Sequence, residues 1–96
     1  MRYAKSKMDT YNAHGSWLDQ PCVVFCEGAE ITVEYEDEGH QQYRGLDKGE
    51  GHYELSSRSF ADGRATLHRF EGGLILEGSY REQGNSGMWR IRLLEE

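Results

Sequence analysis

The sequence predicts an all-β domain, an antiparallel up-and-down meander of seven or eight strands that forms a small barrel or half-barrel. Three observations support this fold class. Apolar and polar residues alternate along most of residues 23–94, as strands with one buried face require. Glycine-containing turn sequences separate the alternating segments at short intervals. The sequence contains no amphipathic helix that could cover the apolar face of an open sheet, so the sheet is expected to curl on itself.

The chain is predicted to form one domain, because its 96 residues can bury a single modest core. Residues 1–14 carry polar side chains without a clear period, which predicts an irregular N-terminal arm. Residues 15–96 then form a single antiparallel β-barrel domain.

The charge distribution argues against nucleic acid as a partner. The net charge is −6, although Arg2, Lys5 and Lys7 make the first seven residues basic, so the rest of the surface is strongly acidic. No apolar run approaches the about 20 residues of a membrane-spanning helix, and the N-terminus lacks the hydrophobic stretch of a signal peptide. We therefore expect a cytoplasmic protein that binds neither nucleic acid nor membrane.

Pro21 introduces the first predicted strand, at residues 22–26, where two valines favour an extended chain. Its two cysteines, Cys22 and Cys26, would lie about 13 Å apart at a rise of about 3.3 Å per residue, which is beyond the reach of a disulfide bond. We therefore expect reduced thiols. Residues 16–18 add an eighth strand if they pair with a neighbour.

The second predicted strand, Glu30–Glu36, alternates cleanly, so its inner face is apolar and its outer face is acidic. A two-residue turn at residues 27–28 would set Val24 against Ile31. Both of these side chains then face the interior.

Two three-residue loops of similar chemistry connect the next strands. Residues 37–39 and 47–49 each end in glycine, the residue that adopts a left-handed conformation most easily. The first loop pairs Val33 with Tyr43, and the second sets Tyr43 opposite Tyr53. An aromatic pair of this kind would stabilise the inner face by about 0.2–1 kcal/mol.

The segment that follows the fourth strand, His52–Ser57, leaves one register open. Residues 57–63 are rich in turn formers, and a bulge fits them as well as a simple hairpin does. Two further strands, at residues 64–70 and 74–81, are joined by a glycine turn within residues 71–73. The turn can be centred on residues 71–72 or on residues 72–73, and both choices keep the same side chains on the inner face.

The last predicted hairpin has a loop at residues 83–86, which pairs Tyr80 with Trp89 inside and Glu77 with Arg92 outside. A slip of one residue would turn the arginines of the final strand into the core. The patterns of both faces therefore support the same register.

Aromatic side chains on the predicted inner face indicate a binding site at the mouth of the barrel, formed by Tyr43, Tyr53, Tyr80 and Trp89. Inward-facing aromatic side chains line the ligand pockets of some small barrels, and in others they simply fill the core. The first interpretation predicts a non-catalytic binding module for a small apolar or aromatic ligand.

Val23 and Phe25 face outward on a strand whose other face is also apolar. An N-terminal arm folded over them would explain this pattern, and so would a second subunit. Phe70 and Ile75, which also turn outward, could extend the patch. The second interpretation is a structural or protein-interaction module that acts as a homodimer through Val23 and Phe25.

A third interpretation, a small enzyme or metal site, comes from His52, Glu54, His68 and Glu77 on the predicted outer face. A histidine beside a glutamate can act as an acid–base pair or as a pair of metal ligands. The histidine and cysteine spacings match no zinc motif, and no serine lies in a recognisable nucleophile turn. We therefore expect no catalytic residues, no metal and no cofactor.

The triplet Gly15-Ser16-Trp17 resembles the Gly-x-Trp that opens lipocalin-type barrels, and a meander that ends in an arginine-bearing strand is similar to the calycin layout. The resemblance covers these three residues and the topology. It implies that Trp17 closes the base of the barrel, with Arg90 or Arg92 packed over it. The predicted registers instead turn both arginines outward.

Overall fold

The computed structural model describes residues 1–95, and its eight strands form a closed antiparallel barrel in sequential order. Each strand pairs with its neighbours in the chain, and the last strand pairs with the first. The predicted all-β meander is therefore confirmed, in its eight-stranded form. The strands are β1 (Arg2–Asn12), β2 (Gly15–Glu27), β3 (Glu30–Glu36), β4 (His40–Asp47), β5 (His52–Ser57), β6 (Arg64–His68), β7 (Ile75–Glu82) and β8 (Asn85–Arg92).

The N-terminal segment, residues 1–14, does not form the irregular arm that its sequence predicts. It forms β1, which pairs with β2 on one side and with β8 on the other. Register shifts interrupt its pairing with β2 at two places, so no strict period of two runs along it. Two polar residues, Ser6 and Asp9, are also buried in this strand. Because of these features, the segment lacks the regular alternation of apolar and polar residues by which a strand is recognised in a sequence.

The second strand is longer than predicted, because residues 16–18 belong to it and are not a separate strand. It runs through Pro21, which lies opposite Lys7 of β1. Asp19 adopts a positive φ of 58°, an uncommon conformation for a residue other than glycine. This local irregularity separates residues 16–18 from the regular pairing that follows them.

The loop at residues 37–39 gives the predicted register, with Val33 opposite Tyr43. Three other hairpins are shifted from the predicted register by two or four residues. An even shift keeps each side chain on its face and changes only its partner. The observed pairs are Val24 with Val33, Tyr43 with Ser57, and Gly78 with Trp89 in place of Tyr80 with Trp89.

Turn conformation explains two of these shifts. The turn between β2 and β3 is Gly28-Ala29, with the glycine first at a φ of 61°. The turn between β7 and β8 is Gln83-Gly84, where both residues have positive φ, 50° and 79°. A glutamine rarely adopts this conformation, so sequence alone favours the longer loop at residues 83–86.

Inward-facing side chains fill the middle of the barrel. The set includes valine, leucine and isoleucine from most strands, together with buried aromatic rings. The buried hydrophobic residues are Tyr3, Met8, Cys22, Val24, Ile31, Val33, Tyr43, Tyr53, Leu55, Ala65, Leu67, Leu76, Tyr80, Trp89, Ile91 and Leu93. The centre is therefore a packed core, and open space lies towards the ends.

Gly78 allows two strands to approach each other more closely than a side chain would permit. A Cβ at this position would overlap the carbonyl oxygen of Thr66 in β6. We expect Gly78→Ala to lower the free energy of unfolding by about 1–3 kcal/mol or more, because the strands would have to separate. Chemical denaturation would measure the loss.

The matched control is Ser79→Ala, the next residue on β7, whose exposed side chain faces outward. Its hydroxyl forms an exposed hydrogen bond with that of Thr66 on the neighbouring strand, so a change below about 0.5 kcal/mol is expected. Equal stabilities for the two variants would contradict the close approach of β6 and β7 at Gly78.

Candidate ligand-binding site at one end of the barrel

One end of the barrel contains a cavity of about 290 Å³. This end carries the turns β1–β2, β3–β4, β5–β6 and β7–β8. The lining combines aromatic rings, neutral polar side chains and two carboxylates. Its residues are Thr10, Asn12, Trp17, Gln20, Tyr35, Asp37, Tyr80, Glu82, Gln83, Asn85 and Trp89.

Trp89 forms the floor of the cavity and is only 3% exposed. Tyr80 stacks on its indole with ring centroids 4.9 Å apart and an interplanar angle of 14°. Tyr43 and Tyr35 meet the same indole edge-on, at centroid distances of 5.0 and 5.9 Å. Stacked and edge-to-face rings at these distances attract each other, so the contacts among these rings stabilise the floor.

Hydrogen bonds connect the aromatic residues to polar groups of the lining. The Tyr43 hydroxyl donates to Oε1 of Glu82 at 2.7 Å, and the Tyr35 hydroxyl lies 3.4 Å from the same oxygen. Asn12 donates from Nδ2 to the Tyr80 hydroxyl at 2.9 Å. Burial and the neighbouring Glu82 raise the pKa of both Tyr35 and Tyr43, which keeps these hydroxyls protonated as donors.

The structure divides the four predicted ligand-binding residues between two ends. Tyr80 and Trp89 line the cavity, whereas Tyr43 is fully buried beneath it and reaches its wall through its hydroxyl. Tyr53 lies at the opposite end, where it borders a hollow of about 550 Å³ together with Arg69 and exposed loop residues. Tyr43 and Tyr53 are not cross-strand partners, since Tyr53 pairs with Asp47.

Sequence reasoning missed Glu82, Asn12 and Asp37 in the lining of the cavity. One signal for Glu82 was available, because it lies two residues beyond Tyr80 and therefore shares its inner face. No comparable signal existed for Asn12, since the register shifts in β1 conceal the direction of its side chains. Asp37 belongs to a loop, where alternation carries no information.

Trp17 does not close the base of the barrel as the lipocalin resemblance implies. It lies opposite Thr10 at the rim of the cavity and is 45% exposed. The arginines of the last strand lie outside, as the predicted registers require. Arg90 pairs with Glu77, and Arg92 pairs with Asp9 and Asp19.

Of the four residues predicted to lie together on the outer face (His52, Glu54, His68 and Glu77), the structure connects only the first three by side-chain contacts. Nδ1 of His52 lies 2.6 Å from Nε2 of His68, and its Nε2 lies 3.3 Å from a carboxylate oxygen of Glu54. Glu77 instead binds Arg90. Within residues 1–95, no group of three or more histidine, cysteine or carboxylate side chains has metal-binding geometry.

Both cysteines are free thiols in the structure, on the inner side of β2. Burial raises the pKa of the Cys22 thiol to about 12, and it also raises that of Cys26. A thiol with a raised pKa is a poor nucleophile at neutral pH, so these groups act as packing side chains.

Asp62, in the loop between β5 and β6, holds the turn between β7 and β8. Its carboxylate accepts hydrogen bonds from the backbone amides of Gln83 at 2.9 Å and Gly84 at 3.1 Å. These are the two residues of that turn with positive φ. The contact therefore supports a strained turn that forms part of the cavity rim, and it lowers the pKa of Asp62.

Comparisons with protein families, with curated proteins and with solved structures find no match to this chain. None of the described residues forms a helix long and apolar enough to cross a membrane.

The Asp62 contact predicts a pH-dependent contribution to stability. Hydrogen bonds from the amides of Gln83 and Gly84 hold the pKa of this carboxyl below its ordinary value, so its contribution to stability is present above the ordinary pKa and is lost as the pH falls through the folded-state pKa. We expect Asp62→Asn to melt at a lower temperature than wild type at neutral pH, with the difference shrinking below about pH 4. Thermal melts from acid to neutral pH would measure it.

Glu38→Gln serves as the control, because Glu38 is an exposed acid in another loop at the same end. This substitution removes the same charge without loosening the turn. A melting difference for Asp62→Asn that stays constant across the pH range would contradict the assignment.

Proposed function

We propose that this protein is a non-catalytic binding module that holds a small ligand with an apolar or aromatic body in the cavity at the Trp89 end. The observation that carries the proposal is the stacked pair of Trp89 and Tyr80, which forms an aromatic floor beneath polar walls. A concave site with a few placed polar groups is typical of small-molecule binding. A volume of about 290 Å³ suits a compact ligand with a single ring.

A binding role is favoured over catalysis by the residue types around Glu82. Oε1 of Glu82 accepts hydrogen bonds from the hydroxyls of Tyr43 and Tyr35, so these neighbours hold the carboxylate in place. The described lining contains no histidine, cysteine, lysine or serine that could serve beside it as a nucleophile or a general acid. The proposal includes a cytoplasmic location, which the two free cysteines support.

The binding role is tested with single-ring compounds of positive, neutral and negative charge. Trp17→Phe leaves Trp89 as the sole tryptophan, so its emission reports on the floor of the cavity. We expect a saturable change in that emission with at least one compound. Calorimetry on the same variant should give the same dissociation constant, and the wild-type protein, which keeps the Trp17 indole in the lining, should bind at least as tightly.

Thr10→Phe, which fills part of the cavity, should weaken the same binding by about tenfold or more, about 1.4 kcal/mol. Thr32→Phe is the matched control, because Thr32 lies opposite Phe25 on the outer face of β3. Binding that survives Thr10→Phe unchanged, or a full panel without any response, would refute the proposed site.

A homodimer is the second candidate, favoured by exposed apolar side chains at the other end. Phe70 is 93% exposed, and Leu74, Ile75 and Leu94 are 57%, 44% and 40% exposed. The surface that the sequence predicts, Val23 and Phe25, is half-buried, and the guanidinium of Arg2 lies 5.6 Å from the Phe25 ring centroid. These two surfaces are not continuous, because three strand-to-strand steps separate β2 from β7 around the barrel.

Light scattering distinguishes the two surfaces. If the protein is a dimer through the Phe70 end, Phe70→Ser should give a monomeric mass and Phe25→Ser should leave the dimer intact. The reverse result would assign the interface to Val23 and Phe25. A monomeric wild-type protein at high concentration would exclude both.

A further inference from the structure

We propose that the ligand of this cavity is a small organic cation, an amine or quaternary ammonium with an apolar body. This inference rests on the proposed binding function and adds the charge of the ligand. It follows from three features of the cavity end: the sign of its charges, the geometry of Glu82 and the faces of its aromatic rings.

The charged side chains that line the cavity are both acidic. They are Asp37 and Glu82, and the described lining contains no lysine, arginine or histidine. Arg81 is adjacent to Glu82 in the chain, but it is exposed and paired in register with Arg64 and Ser86 on the outer face. The cavity therefore has a negative potential, to which the net charge of −6 adds.

Glu82 is held so that one oxygen is left for a ligand. The hydroxyls of Tyr43 and Tyr35 both approach Oε1, and Oε2 is the remaining acceptor of this half-buried side chain. A half-buried carboxylate loses hydration, and a cation at Oε2 would restore the lost interaction. A neutral apolar ligand would instead cover the carboxylate without pairing it, and an anion would be repelled.

The aromatic rings supply a second attraction for positive charge. Trp89, Tyr80, Tyr35 and Trp17 border the same cavity, with Trp17 exposed at its rim. The face of an aromatic ring is negative, and tryptophan binds cations best among these side chains. Tyr80 covers one face of Trp89, so Trp17 is the more accessible tryptophan of the lining. A site that combines aromatic rings with carboxylates favours an organic cation, which has apolar surface to place against the rings. A hydrated metal ion has no such surface.

Gln41 adds an unpaired acceptor on the same side of the barrel. It is 7% exposed, lies opposite Tyr35 in the β3–β4 pair, and donates from Nε2 to the carbonyl oxygen of Asp37. Its Oε1 is buried without a hydrogen-bond partner among the described residues. An unpaired buried acceptor is costly, and because Gln41 does not itself border the cavity, a water molecule bound beside the lining would satisfy this group.

Three single-ring probes of similar size and different charge test the inference. They are phenethylamine, phenethyl alcohol and phenylacetate, titrated against the Trp17→Phe protein with Trp89 emission as the signal. We expect phenethylamine to bind about tenfold tighter than the alcohol, and phenylacetate to bind more weakly than either. Tetramethylammonium should compete with phenethylamine.

Glu82→Gln tests whether Glu82 causes the preference for a cation. The amide oxygen of glutamine can still accept the hydrogen bonds of the two tyrosine hydroxyls, so the substitution removes mainly the charge. The variant should reduce the preference for amine over alcohol to about threefold or less, mainly by weakening the binding of the amine. Glu38→Gln, at an exposed loop acid of the same end, should keep the full preference. Near-ultraviolet circular dichroism would verify that the aromatic packing is retained.

Salt dependence gives a measurement that needs no variant. Raising the salt concentration from about 0.05 M to about 0.5 M should weaken amine binding and leave alcohol binding unchanged. Equal binding of amine and alcohol, insensitive to salt and to Glu82→Gln, would overturn the charge inference and leave the binding function intact. No binding of any probe, including other members of the single-ring panel, would refute both.

Discussion

Pairing between β1 and β8 is the constraint on which the rest of this structure depends. It closes the sheet, so that side chains from all eight strands share one core and no edge remains in the ring. The same pairing sets Thr10 beside Trp89 and so gives the cavity one of its walls. Gly87 makes this contact possible, because a Cβ there would overlap the carbonyl oxygen of Tyr11.

Alternation predicted which face each side chain occupies better than it predicted its partners. A period of two fixes the inner and outer faces, but any even shift in register satisfies it equally well. Only turn conformation separates the alternatives, and Gln83 at positive φ is stabilised by Asp62 from a different hairpin. That contact joins residues 21 positions apart, so the local sequence of the turn could not reveal it.

The candidate site, like the strand registers, could be predicted from the sequence only in part. Tyr80 and Trp89 were identified because both belong to regular strands with clear faces. Tyr53 was grouped with them through a wrong register, and the structure places it at the other end of the barrel. The wall contributed by β1 was missed because the interruptions in its pairing, which shape that wall, also remove the period.

The position of Glu82 connects stability with function. A carboxylate at a half-buried position costs free energy through lost hydration, and an apolar residue there would extend the core. The chain instead keeps Glu82 and directs two tyrosine hydroxyls to one of its oxygens. Natural sequences depart from good packing mainly where a site requires it. The aromatic floor would give a ligand an apolar surface to rest on, and Glu82, whose carboxylate core packing does not require, would give it a charged partner.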